Sequence, residues 1–190
     1  MKHWIPLFVV LAVLPACTSA RKLPEYSKPS ALLQEEIDTL LRELPYRHGP
    51  ELLATLNRLV YIGEPAIPSI VKSLKDDHPK ARSNAAYVLG EIRDRRTIMP
   101  LREVLDDESQ EVRYEAAASL LVMGDWHGIP VLIAALKDSD PYHRYKSIQI
   151  LAKNTHQDLG YDYKGSEESR AAAVGRWENW YSGLRRTSMR

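Results

Sequence analysis

The sequence predicts an all-α protein, an α-α superhelix of about four helical hairpins with a C-terminal capping helix. Three observations predict it. A 31-residue period runs through the middle of the chain. Apolar residues inside each period recur at helical spacing. The period then stops before a single amphipathic stretch near the C-terminus. Leu74, Leu105 and Leu136 stand 31 apart, as do Asp76, Asp107 and Asp138, then Arg82, Arg113 and Arg144, then Leu89, Leu120 and Leu151. Ala85, Ala116 and Ser147 keep a small residue in register. Pro68, Pro100 and Pro130 are spaced 32 and 30 apart, so the slip falls in loops, where it is tolerated. Such self-similarity marks stacked hairpins, because one helical pair cannot bury both of its apolar faces.

Each period reads as two helices. The first opens near its proline, a residue accepted in the first helical turn. The second opens at His78-Pro79, Ser109-Gln110 and Asp140-Pro141, which read as cap and first-residue pairs, although His78 is a poor cap. Ala81, Ala85, Val88 and Leu89 share one face of the first of these second helices. Their small side chains let neighbouring helices approach closely. A weaker copy precedes the three. "LLQEEIDTLLREL" aligns Leu33, Ile37, Leu40 and Leu44, and the following helix is closed by Gly63.

After Asn154 the period is lost. A Gly-bearing loop leads to a helix expected from Ser166, with Glu167 and Glu168 at the positive end of its dipole. Val174, Trp177, Tyr181 and Leu184 form its apolar stripe, suited to covering the last repeat. The loop does not read as a calcium site. Asp158, Gly160 and Asp162 alternate, but Gly165 is misplaced and Ser169 stands where a bidentate Glu belongs.

The N-terminal end is of another kind. Residues 1–16, "MKHWIPLFVVLAVLPA", hold one lysine and then an apolar run too short to span a bilayer but suited to a signal peptide. Cys17 follows, and it is the only cysteine in 190 residues. That excludes an internal disulfide and a multi-thiolate zinc site. Residues 17–30 read as a flexible polar tether, 31–153 as the repeat solenoid, and 154–190 as the loop and capping helix.

Two resemblances follow from these stretches. "LPAC" resembles the lipobox of bacterial lipoproteins. This implies cleavage after Ala16, lipid attachment at Cys17 and a place at the cell envelope, with Thr18 pointing to the outer membrane. "EPAIPSIVKSLKDDHPKARSNAAYVLGEI" resembles a HEAT-like repeat of the short phycobilisome-lyase-like form. This implies a HEAT/armadillo-like solenoid whose second helices line the inner curve. The same resemblance favours a structural role for the Asp76, Asp107, Asp138 and Arg82, Arg113, Arg144 columns. In that role they pair across repeats and hold turn amides, rather than binding an anionic partner.

No catalytic constellation stands out. The histidines are scattered singly, and no metal helix motif, phosphate loop or nucleophile elbow is present. A composition of 44% hydrophobic and 27% charged residues with net charge +1 gives no field that would draw nucleic acid. The expectation is therefore a lipid-anchored scaffold, not an enzyme, with no cofactor and no metal. It would bind a protein or peptide and make no use of nucleic acid. Tyr87, Tyr114 and Tyr145, one or five residues after the arginines, are expected to point away from the packed face and mark that surface. A structural envelope protein without a ligand, or a lyase-like enzyme, are the alternatives.

Overall fold

The structure, a computed structural model, describes residues 25–188, with side chains to residue 184. The expected signal peptide over residues 1–16 and Cys17 lie outside the described residues. Nine α-helices are present among them, and no strand. They are α1 (Ala31–Glu43), α2 (Gly49–Ile62), α3 (Ile67–Ser73), α4 (Pro79–Ile92), α5 (Ile98–Glu103), α6 (Gln110–Val122), α7 (Ile129–Ala135), α8 (Pro141–Thr155) and α9 (Glu167–Ser188).

The helices form two layers. α2, α4, α6 and α8 stand side by side in one. The short helices α3, α5 and α7 back α4, α6 and α8 in the other, with α1 behind α2 and beside α3. The fold is the all-α repeat solenoid that the period predicts. The repeat columns are its core: Leu89, Leu120 and Leu151 are fully buried, as are Ala85 and Ala116, and Ser147 nearly so. One buried cluster runs from Ile37 to Leu120 and a second from Ala117 to Trp177. Leu105 packs against both, so the core is continuous along the stack.

The second helices begin at the predicted caps, His78, Ser109 and Asp140, but only Asp140 bonds a first-turn amide, that of Tyr142, at 2.8 Å. Each of α3, α5 and α7 is preceded by a 3-10 turn that the sequence reading missed: Glu64–Ala66, Arg95–Thr97 and Trp126–Gly128, again 31 apart. Asp94 and Asp125 cap two of these turns. Both carboxylates also hold an arginine. Asp94 takes Arg96, which reaches back to Glu64 at 2.9 Å, and Asp125 takes Arg102 of the preceding repeat.

Close packing is strictest between α4 and α6. A Cβ on Gly90 would lie 2.6 Å from Ser119 Cβ and 3.0 Å from its Cα, and Ser119 Oγ donates to the Ala86 carbonyl at 2.9 Å. A Cβ on Gly128 would likewise lie 2.4–2.9 Å from the Ala117 backbone. Gly90→Ala is therefore expected to destabilise the fold by about 1–3 kcal/mol, the usual cost of overpacking. Chemical denaturation of the variant checks this, and an unchanged midpoint would show that the two helices can part.

One boundary differs from expectation. The tether is expected through residue 30, yet residues 26–27 dock on the first layer. The Tyr26 ring lies 4.0 Å from the Arg96 guanidinium carbon, and Ser27 Oγ donates to Glu64 at 3.0 Å. A cation over an aromatic face and a carboxylate within reach hold this segment against the repeats. At the other end, α9 lies against α7, and its Val174 and Trp177 complete the second core cluster.

Candidate functional site

The Asp and Arg columns are the first place to look. Each aspartate receives the turn amide two residues on, at 2.8 Å: Asp76 from His78, Asp107 from Ser109, and Asp138 from Asp140. Each arginine donates to the two carbonyls of its own turn, for example Arg113 to Asp107 and Glu108. Pairing across repeats is not uniform. Arg82 makes a two-pronged bond to Asp107, both arms at 2.8 Å, with side chains only 8% and 10% exposed. Burial pushes the Asp107 carboxyl up, but the Arg82 fork, the Ser109 amide and the Arg113 charge outweigh it and hold its pKa below the ordinary value.

The next rung is different. Arg113 stays at its own turn, and Asp138 is met instead by the Tyr114 hydroxyl at 3.0 Å, by Gln110 and by His143 Nδ1 at 3.2 Å. The expected ladder is thus corrected to one Arg–Asp rung between repeats, because other donors occupy the second acceptor. Arg144 has no aspartate ahead of it, and its fork closes on the Tyr163 carbonyl at 3.0 and 3.2 Å.

The three tyrosines do not form one open face, and their expected direction is corrected. Tyr87 is half-buried and packs against the core. Tyr114 is half-buried on Asp138. Tyr145 alone is open, with its ring 5.0 Å from Tyr163. Stacked second helices shield the lateral side of each other, and only the last has a free flank.

What the departure from the ladder creates is a polar cleft of about 90 Å³ between α6 and α8. Its floor includes Ala118, Leu132 and Ser147, all buried. Tyr114, Tyr142 and His143 supply aromatic walls, and Tyr114 meets the His143 ring edge-on at 5.4 Å. Lys146 of α8 pairs with Glu115 of α6 across it. Burial works against the Lys146 charge, but Glu115, Tyr142 and Glu111 outweigh it and raise its pKa. The Tyr114 phenol is pushed up to about 12 by burial and by Asp138, so it remains a hydrogen-bond donor. Asp138, with a side chain 6% exposed, is the hinge of the arrangement. Its pKa lies below the ordinary value: burial raises it, and the Asp140 amide, Tyr114 and His143 more than offset that.

Sequence reasoning counted His143 among isolated histidines. A signal was present in the repeat itself: Ala81 and Val112 occupy its column in the other copies, so a polar ring replaces an apolar residue only in the last unit.

Comparison with known proteins agrees with the architecture. The family model for HEAT repeats matches residues 51–121, 67–152 and 98–174, more than half of the chain. The chain belongs to the HEAT-repeat family. Its HEAT repeats are similar to deoxyhypusine hydroxylase of Candida albicans, 38% identical over 93 residues, which are 48% of this chain and 29% of that one. They are also similar to phycocyanobilin lyase subunit alpha of Picosynechococcus sp., 35% identical over 80 residues, 38% of this chain and 30% of that one. The chain thus spans about three-tenths of these curated relatives. A chain of the CpcE–CpcF complex of phycocyanin lyase from Nostoc sp. PCC7120 shares the fold, with TM-score 0.54, 20% identity, and coverage of 76% of this chain and 99% of that one. The HEAT repeats are accordingly similar to those of the phycobilisome lyases, in sequence over that stretch and in fold.

These relatives correct the functional expectation. A lipid-anchored scaffold outside enzymology is overturned by HEAT-repeat relatives that carry enzyme names, deoxyhypusine hydroxylases at 38% identity among them. Among the described residues, no group of three or more His, Cys, Asp or Glu could hold a metal ion.

Proposed function

We propose that this chain is an enzyme-type HEAT-repeat protein that acts on a polypeptide partner, and that one partner side chain enters the α6–α8 cleft. The observation that carries the reading is the Asp138–His143 contact at the cleft wall. A neutral His143 that donates its Nδ1 proton to Asp138 keeps the lone pair on Nε2, where it can take a proton from a bound group. Tyr114 shares the same carboxylate oxygen and fixes the carboxylate from a second side. A cleft of this size suits one side chain and not a free cofactor-sized ligand, which needs roughly 300–1,000 Å³.

A protein partner is supported by the company the relatives keep: one is named as a subunit, and the lyase chain lies in a two-protein complex. Tyr142 and Tyr145 on the open flank of α8 offer the contact area that binding such a partner needs. Tyr87 and Tyr114 extend the same layer inward.

The test starts with a photo-crosslinking amino acid at position 145, to identify the protein that sits there. That protein is then incubated with the purified chain and weighed by mass spectrometry. A covalent mass change is expected with the natural chain and is expected to vanish with His143→Gln, whose melting curve should stay in place. A partner whose mass never changes would refute the enzyme reading. A change that persists in His143→Gln would remove His143 from it.

A further inference from the structure

Three columns of the repeat decide which donors can reach the aspartate of the following turn. Around Asp107 they hold Pro79, Ser83 and Val112, and around Asp138 they hold Gln110, Tyr114 and His143. Pro79 and Val112 carry no side-chain donor, and Asp107 receives only Arg82 and the Ser109 amide among the described residues. Its Oδ2 is therefore open to Arg82 Nε, while Nη2 joins the amide on Oδ1. At Asp138 the Oδ1 side is alike, with the Asp140 amide upon it. The Oδ2 side is not. Gln110, Tyr114 and His143 all converge there. A carboxylate oxygen offers about two lone pairs, so none is left for a guanidinium.

Arg113 is thus a fork with nothing to close on. Its Nη1 holds the Asp107 and Glu108 carbonyls, just as Nη1 of Arg82 and of Arg144 holds its own turn. In those two arginines Nε and Nη2 are filled, by Asp107 and by the Tyr163 carbonyl. In Arg113 the same two arms meet no acceptor among the described residues.

We propose that Arg113 is a held-off rival of His143 for Asp138, and that Gln110 and Tyr114 are the positioning residues that settle the contest for His143. The inference rests on the role given to His143 above. A two-pronged guanidinium–carboxylate bond is stronger than one neutral donor, so no single member of the trio would keep Asp138 from the fork. Together they fill Oδ2. Without Gln110 and Tyr114 the fork closes as it does one repeat earlier, and His143 loses the acceptor that fixes its Nδ1 proton. Gln110 is the telling residue. Pro79 and Pro141 hold its place at the head of α4 and α8, where proline suits the first turn. Glutamine gives that up and supplies an amide that reaches Asp138.

The test reads the His143 ring of the full chain by nitrogen NMR, at a pH where the ring is neutral. The natural chain is expected to show the Nδ1-protonated tautomer. Gln110→Ala combined with Tyr114→Phe is expected to lose it, and adding Arg113→Gln to that pair to bring it back. A merely structural role for Gln110 and Tyr114 would give no such recovery. Arg113→Ala and Asp138→Asn are expected to be nearly additive in the natural chain and to couple once positions 110 and 114 are changed, as read by denaturation. Should the combined variant melt early, Gln110→Ala alone, at an exposed site, is expected to lose part of the tautomer signal and to regain it with Arg113→Gln. A tautomer that survives the changes at 110 and 114, or a loss that persists after Arg113→Gln, would overturn the proposal. None of these readouts needs a partner. A partner whose mass never changes therefore refutes the enzyme reading alone, and the contest for Asp138 is judged on the ring.

Discussion

Arg82→Ala is expected to cost about 3–5 kcal/mol, enough to unfold a large share of the molecules only where the domain's stability lies near the low end of the usual range. The loss comes less from the bonds removed than from what is left behind. Asp107 is nearly as buried as its partner, and without the fork its charge is left with the Ser109 amide and the nearby Arg113 charge alone. The Asp76 and Asp77 carbonyls lose a donor as well. Arg113→Ala should cost far less, on the order of 1 kcal/mol, since it removes bonds to one turn and strands no carboxylate. Denaturant midpoints of both variants check the contrast. A double-mutant cycle with Asp107→Ala should show strong coupling, with the pair costing less than the sum of the singles.

The pair also sets a pH dependence. The folded-state pKa of Asp107 is depressed, so its contribution is complete above the ordinary carboxylate value, near 4, and drains away as pH falls through the folded one. The acid limb of the stability curve should therefore flatten in Asp107→Asn.

Trp177→Ala is expected to cost a similar amount, roughly 3–5 kcal/mol. Trp177 is fully buried and is the largest side chain in the second core cluster, where it joins α9 to the last repeat. Removing it opens a large void beside Leu132 and Leu136 and withdraws the edge-on partner of Trp180 at 5.5 Å. The first cluster, from Ile37 to Leu120, does not contain it, so the damage should begin at the C-terminal end. Hydrogen exchange read by mass spectrometry should show α7, α8 and α9 losing protection before α2 and α4. Trp177→Phe should cost much less, because the indole Nε1 is buried without an acceptor among the described residues and its removal relieves a desolvated donor.

Much of the fold is legible in the sequence because stacking repeats the same physical demand. A leucine column at period 31 can be buried only if each copy presents it the same way, and Leu89, Leu120 and Leu151 are all fully buried. Helix starts are legible for the same reason: His78, Ser109 and Asp140 share a column and a job. The first-layer 3-10 turns are less visible, since Gly63 replaces aspartate in the first copy and leaves only Asp94 and Asp125 as a trace. The cleft is the least legible part. It arises where the copies differ, not where they agree. Tyr114, Gln110 and His143 converge on Asp138 from two helices, and no spacing rule announces that a second rung will be diverted. Tyr87 shows the converse. Its position after Arg82 suggests an outward direction, yet the neighbouring helix α6 covers it.

The segment from His156 to Ser166 is fastened by backbone oxygens. Arg144 takes the carbonyl of Tyr163, Arg176 those of Leu159 and Gly160, and Arg170 that of Gly165. Carbonyls are supplied by every residue type, so these anchors are indifferent to spelling and sensitive to counting. Related chains can drift in letters here while holding the loop's length fixed, and one inserted or deleted residue would pull several oxygens out of reach together.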